Sequence, residues 1–461
     1  MIPRTWFWLG LIATPLLLSC TSSSTDTPKK PSGRAKNVLV VAESSAIAME
    51  KVVAIEGNVT HDLPILSAVG AELEPTSIRA LAEDPQISRI VIDSNDAMSE
   101  QTEEENALDT INWLTQGTGN SSQNAWLGSL VNNEAHGLTG KGIGLAIIDT
   151  GIAETDRNLD WEPNVIARYN ALSNTESNVL PDITGHGTHV SSLIAGVGKR
   201  SQGIAPEASL VVLKAFDSRD SANFLDVIRA VQWVTTNKER FGIRILNLSI
   251  SASSELPYHI DPLNRALTKA WNSGLVVVVS AGNLGPNEST ITAPGNNPWL
   301  LSVGAASINS ADETVEVAPF SGRGPTASGH IKPNIVAPGV RLEGLLPLTA
   351  NRPRREPIEI SSAGLWVTSG ASQASAVVAG VVALLLEARP ELSNDDVKCL
   401  LANSATPLMS QAQTPLSPMA QGRGLINLSA ALNSIAIDCP ERLEGLSPDT
   451  PIEGAYTQKS F

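Results

Sequence analysis

A chain of 461 residues has room for one large domain and one small one. Its formal net charge of −15 argues against nucleic-acid binding, and an aromatic content of 4% offers no stacking platform for bases. The acidity fits a soluble protein working outside the cytoplasm.

The chain opens with Arg4, then an apolar run from Trp6 to Leu18 that is too short to span a bilayer. Residues 1–19 read as a secretory signal peptide. Leu17-Leu18-Ser19-Cys20 resembles a bacterial lipoprotein cleavage site, which would make Cys20 a lipid attachment point; plain signal cleavage nearby is the alternative. Residues 20–36, rich in Thr, Ser, Pro and Lys, read as a flexible tether.

Residues 37–95 form a small α+β unit. Asn37 to Ala42 reads as a strand, Ser44 to Glu56 as a helix, His61 to Leu73 as two short strands, Thr76 to Ala82 as a second helix and Ile87 to Ile92 as a last strand. That order, β-α-β-β-α-β, is ferredoxin-like. Residues 96–125 are polar, include Glu103-Glu104-Glu105, and read as an exposed linker with a processing site.

From residue 126 to 440 strands and helices alternate. Leu145–Ile148, Ser209–Lys214, Ile243–Leu248 and Leu275–Ser280 are apolar strands; Phe224–Lys238 and Leu263–Trp271 are helices between them. The alternation predicts a mostly parallel sheet with helices on both faces. Ala376 to Leu386 is apolar on every side, which makes it a core helix closed by Pro390. Residues 441–461 read as a loose tail.

Chemistry concentrates in four segments of this domain. Ile147-Ile148-Asp149-Thr150-Gly151 ends a buried strand with a carboxylate, at the sheet edge where catalytic groups collect in open α/β folds. A lone Asp-Thr-Gly also suits a turn. The aspartic-protease reading fails because no second Asp-Thr-Gly or Asp-Ser-Gly is present to share the proton. The glycines at 140, 142 and 144 precede the strand, which disfavours a dinucleotide loop.

Gly185-His186-Gly187-Thr188-His189 places two of six histidines at a helix start. No His-Glu-x-x-His pattern surrounds them, so zinc is disfavoured. His186, between glycines, is the candidate for a cleft, and His189 for a structural hydrogen bond. Ser280-Ala281-Gly282-Asn283 delivers an amide on a turn after a strand. Ser369-Gly370-Ala371-Ser372 runs into the core helix, where Ser372 is either a helix cap or a nucleophile beside free backbone N–H groups. Asp149, His186 and Ser372 supply an orienter, a base and a nucleophile, and no Gly-x-Ser-x-Gly elbow points to a lipase.

The order Asp…His…Ser, with these motifs, resembles the subtilisin-like serine proteases, or subtilases. Gly203-Ile204-Ala205-Pro206, Phe320-Ser321-Gly322-Arg323-Gly324-Pro325 and Lys332-Pro333-Asn334 also match that family. The resemblance implies a three-layer α/β fold, an acyl-enzyme mechanism with Asp149, His186 and Ser372 as triad, and Asn283 as oxyanion donor. It implies that Ser249-Ile250-Ser251-Ala252 is the substrate-pairing edge, with Ser249, Ser251 and Ala252 as substrate-binding residues. It also implies that residues 37–95 are an inhibitor-type propeptide that assists folding and blocks the site until cleaved; a small accessory domain retained after folding is the alternative. Partners are then protein or peptide substrates, the chain's own propeptide and, before processing, a membrane through the lipid. The mature enzyme is expected in the cell envelope or outside the cell. A catalytically inactive peptide-binding relative is the alternative.

Departures from the family lie around the nucleophile, where Ala371, Gln373, Ala376 and Val377 replace the usual Thr, Met, Pro and His. Side chains at 251 and 252, where glycines are usual, should narrow the primary pocket. No metal or cofactor is required by the motifs. Structural calcium is a family property, but Asp156-Arg157-Asn158-Leu159 is a poor oxygen-ligand set for a hard cation. Of three cysteines, lipidation of Cys20 leaves Cys399 and Cys439, which export would let pair. A loop of about 40 residues closed this way would stabilise by roughly 3–4 kcal/mol; two separate buried thiols are the alternative.

Overall fold

The computed structural model describes residues 34–92, 137–153, 161, 163–197, 202–218, 221–252, 256–308, 314–347, 350 and 359–434. The expected signal peptide, Cys20, nearly all of the tether, the linker 96–125, Asp156–Leu159, Cys439 and the tail 441–461 lie outside these residues.

The first unit runs β1 (Lys36–Ala42), α1 (Ser45–Ala54), β2 (Asn58–Leu63), a 3₁₀ turn (Pro64–Leu66), β3 (Ala68–Leu73), α2 (Pro75–Ala82) and β4 (Ile87–Ile92). The Ser44 hydroxyl accepts from the Ile47 N–H at 3.3 Å and so caps α1, while Pro75 starts α2 where its missing N–H costs nothing. The sheet order is β2-β3-β1-β4 with antiparallel pairing throughout. β2 begins at Asn58, before the expected His61.

Strand β1 is apolar on both faces because both are buried. Val38, Val40 and Ala42 pack with Ala48, Val52 and Leu81 in the unit's own core. Leu39 and Val41, one residue out of phase, join the large core of the rest of the chain with Leu63 and Leu66. A period of two thus splits one strand between two cores.

The large sheet is built from β5 (Gly144–Asp149), β6 (Val165–Asn170), β7 (Thr175–Glu176), β8 (Ser209–Lys214), β9 (Ile243–Leu248), β10 (Val276–Ser280), β11 (Leu301–Ile308), β12 (Val315–Val317) and β13 (Ile335–Pro338). Its order is β12-β11-β10-β9-β5-β8-β6-β7, with β13 parallel to β11. The β6–β8, β8–β5, β5–β9, β9–β10 and β10–β11 pairs are parallel, and only the outermost β7 and β12 pair antiparallel. The chain winds from β5 towards β8 and then returns to the other side through β9. The C-terminal end of β5 is therefore the point where strand order reverses, and parallel sheets open a crevice there.

Helices α3 (His186–Ala195), α4 (Phe224–Asn237), α5 (Pro262–Asn272), α6 (Ala371–Ala388), α7 (Asn394–Ser404), α8 (Pro418–Gln421) and α9 (Leu428–Asn433) cover the sheet. α3 packs on α6, which crosses β9, β10, β11 and β13; α4 packs on α5, and the two contact β5, β9 and β10. The result is a three-layer α/β arrangement. A small third sheet, β14 (Leu342–Gly344), β15 (Glu359–Ile360) and β16 (Trp366–Thr368), packs through β14 on α3.

Helix α6 is long and apolar enough to cross a membrane by length and composition, yet 89% of it is buried inside the protein. It starts at Ala371, which puts Ser372 in its first turn, and Ser372, Gln373 and Ser375 are buried along with the apolar run. The first unit docks on α4 and α5. The His61 ring meets Asp226 at 3.0 Å, Arg229 donates to the Thr60 carbonyl at 2.9 Å and Gln232 brackets Asp62 and Ile65.

Candidate active site

Asp149 is the last residue of β5 and is buried. Its Oδ1 lies 2.8 Å from Nδ1 of His186, the first residue of α3. The Thr150 N–H donates to the same oxygen at 2.7 Å. An ionised carboxylate only accepts, so Nδ1 carries the proton and Nε2 is left as the basic nitrogen. The approach of strand end and helix depends on Gly187. A Cβ there would stand 3.1 Å from Asp149 Oδ1 and would collide with the Gly151 carbonyl oxygen. Gly185, the N-cap, adopts φ 91°, a conformation glycine reaches without a steric cost.

Ser372 is the second residue of α6, and the N-cap is Gly370. The serine is therefore not a helix cap, and its own N–H is among the first-turn groups without an intrahelical acceptor. Its hydroxyl donates to the Ser249 carbonyl at 3.0 Å. Asn283 follows the C-terminal end of β10, and its Oδ1 accepts the Ala371 N–H at 2.8 Å. That bond fixes the carboxamide by its oxygen, so that its donor group is Nδ2. Gly370 leaves room for this. A Cβ there would meet Gln373 Oε1 at 2.5 Å, with Asn283 Nδ2 3.6 Å away.

The Ser249 side chain is fully buried and braces α6: it accepts from Asn247 Nδ2 at 2.8 Å and contacts the Ser372 carbonyl at 3.1 Å. Ser251 is buried beside it, and Ala252 pairs with Ala293 through both its N–H and its carbonyl. His189 Nε2 lies 3.3 Å from the carbonyls of Leu342 and Trp366, tying α3 to the small sheet. Cys399 is buried in α7, away from the chemistry, and its expected partner lies outside the described residues. Among the described residues no group of three or more His, Cys, Asp or Glu could hold a metal ion.

Two buried charges were missed by the motifs. Lys214 is the register partner of Asp149 on β8, and its ammonium donates to the Thr150 carbonyl. Asp182 accepts hydrogen bonds from Thr150, Gly185 and Thr188. A lysine closing an apolar strand, and an aspartate four residues before a His-Gly-Thr-His, are weak signals alone.

A parallel sheet carries an Asp–His pair at its switch point and a serine at a helix start. Residues 140–424 match the subtilase family model, Peptidase_S8. The chain belongs to the subtilase family, the class of serine-type endopeptidases that the subtilisins typify. It is 35% identical over 303 residues to the serine protease AprX of Bacillus subtilis, spanning 63% of this chain and 66% of that protein. Subtilisin E of Bacillus subtilis is 27% identical over 394 residues, 85% of this chain and 87% of the relative. Fervidolysin of Fervidobacterium pennivorans, a keratinolytic enzyme related to subtilisin, shares the fold with a TM-score of 0.64 at 24% identity, over 88% of this chain and 61% of that one.

Proposed function

We propose that the protein is an exported serine endopeptidase that cleaves peptide bonds through an acyl-enzyme. The observation that carries this reading is the 2.8 Å Asp149–His186 bond at the sheet's switch point, with Asn283 held by Ala371 beside Ser372. The Ser372 hydroxyl turns from the Ser249 carbonyl to His186, which takes its proton at Nε2 as the oxygen attacks the scissile carbonyl. Asp149 holds the imidazole and offsets the imidazolium charge. The oxyanion receives hydrogen bonds from Asn283 Nδ2 and the Ser372 N–H. Collapse breaks the C–N bond, His186 gives its proton to the leaving amine, and a water activated by the same imidazole hydrolyses the ester. The substrate lies along Ser249-Ile250-Ser251. Because Ala252 already pairs with Ala293, the open edge is at Ile250 and Ser251.

Residues 37–95 act as an inhibitor-type propeptide. The support is their β-α-β-β-α-β order and their docking on α4 and α5. Cys20 carries a lipid, Cys399 pairs with Cys439, and autocleavage in 96–125 frees the peptidase from the membrane. A p-nitrophenyl ester tests the chemistry. One equivalent of nitrophenol should appear in a burst from processed protein and none from Ser372→Ala. Processed wild type without a burst would reduce the protein to a peptide-binding relative. Membrane fractionation tests the release: active mature enzyme that resists washing from the membrane contradicts it.

A further inference from the structure

We infer that Asp182 is a positioning residue of the catalytic site: it sets the hydrogen-bond polarity of two threonines that lock the Asp149 loop to the His186 helix. This rests on the triad reading above. Asp182 is buried. Its Oδ1 accepts from Thr150 Oγ1 at 2.8 Å and from the Gly185 N–H at 2.8 Å, and stands 3.5 Å from Thr184 Oγ1. Its Oδ2 accepts from the Thr188 N–H at 2.8 Å and from Thr188 Oγ1 at 2.6 Å.

The two hydroxyls cross between the segments. Thr150, next to Asp149, accepts the Gly187 N–H of α3 at 2.8 Å. Thr188, on α3, accepts the Ala153 N–H of the Asp149 loop at 3.0 Å. Each hydroxyl has one proton. An ionised carboxylate cannot donate, so both protons must point at Asp182, and both lone pairs are then presented to the opposite segment. Asp149 and His186 sit inside this lock, one residue from Thr150 and from Gly187. The carboxylate also faces first-turn N–H groups of α3, where the helix dipole favours a negative charge.

Asparagine has the same shape but brings an NH₂ group. It would set that NH₂ group against the Gly185 or the Thr188 N–H, and would take away the acceptor of at least one threonine proton. The Asp149–His186 geometry would loosen while substrate contacts stay as they are. Displacements on the ångström scale cost catalytic steps about 10²-fold.

The test uses the full chain, with kcat per active site titrated by a sulfonyl fluoride, at a temperature well below each variant's Tm. Asp182→Asn should lower kcat by about 10- to 100-fold with KM within about twofold. Thr150→Val, which removes one of the two crossing hydroxyls, should lower kcat less. The double variant should be no worse than Asp182→Asn, because the aspartate acts through the threonine. Unchanged kcat in Asp182→Asn, or kcat losses that multiply in the double variant while only Tm moves in common, would overturn the inference. If sulfonyl fluoride fails to titrate the wild type, the triad reading fails first and is told apart.

Discussion

At the scale of single residues, the site is a set of donors and acceptors whose directions are fixed by their neighbours. Asn283 can serve as the proposed oxyanion donor because Ala371 occupies its oxygen. Replacing Asn283 by Ala should lower kcat by about 10²–10³, a magnitude borrowed from subtilisin rather than obtained from this geometry, with KM little changed; steady-state kinetics on a peptide anilide check it. Asp149, His186 and Asn283 were legible in the chain because each sits in a short motif with a chemical meaning. Ser372 taken alone read as a cap or a nucleophile, and the partner motifs favoured the nucleophile; the structure puts Gly370 at the cap. Asp182 and Lys214 were not legible. Their partners are 32 and 64 residues distant in sequence, and only folding shows that each meets Thr150.

At the scale of elements, β1 explains how a unit of this size holds together. Its own core is small, and Leu39 and Val41 are buried only against the larger domain. In a Ser372→Ala chain, which lacks the proposed nucleophile and should stay unprocessed, Leu39→Asp should weaken docking by about 3 kcal/mol or more, through lost apolar burial and a carboxylate placed in it. Hydrogen exchange of β1–β4 amides, faster than in the parent, is the readout; unchanged protection contradicts the docking account. The junction should also sense acid. Burial, and then the charge of Arg89, push the His259 imidazole below its ordinary value of 6.5. The unfolded chain therefore takes up this proton at higher pH than the folded chain. Stability from this source is complete above about pH 7 and falls as pH drops below about 6.5. His259→Gln should flatten the slope of urea-unfolding midpoints between pH 7 and 5; an unchanged slope shows that other groups set it. The first unit's element order was readable from alternating apolar residues. The start of β2 was not, because Asn58 to Thr60 carry no buried apolar alternation and only their pairing with β3 makes them strand.

At the scale of the molecule, the parallel order around β5 brings residues 149, 186, 249, 283 and 372 to one sheet edge. Alternation of strands and helices announced such a sheet, but not which strand would be central. That depends on crossover packing, with α3 and α6 meeting along one side of the strands. Large parallel sheets form slowly because their contacts are distant in sequence. A chain lacking residues 37–92 should therefore refold to active enzyme at least tenfold more slowly than the full chain; equal recovery rates would remove the folding role of the first unit. The central claim remains that Ser372 is the nucleophile of a working peptidase. Its most direct measurement is mass-spectrometric mapping of a sulfonyl fluoride adduct on processed protein. The account predicts one adduct, on Ser372, formed in step with the loss of casein hydrolysis. An adduct elsewhere, or neither adduct nor turnover in properly processed protein, would contradict it.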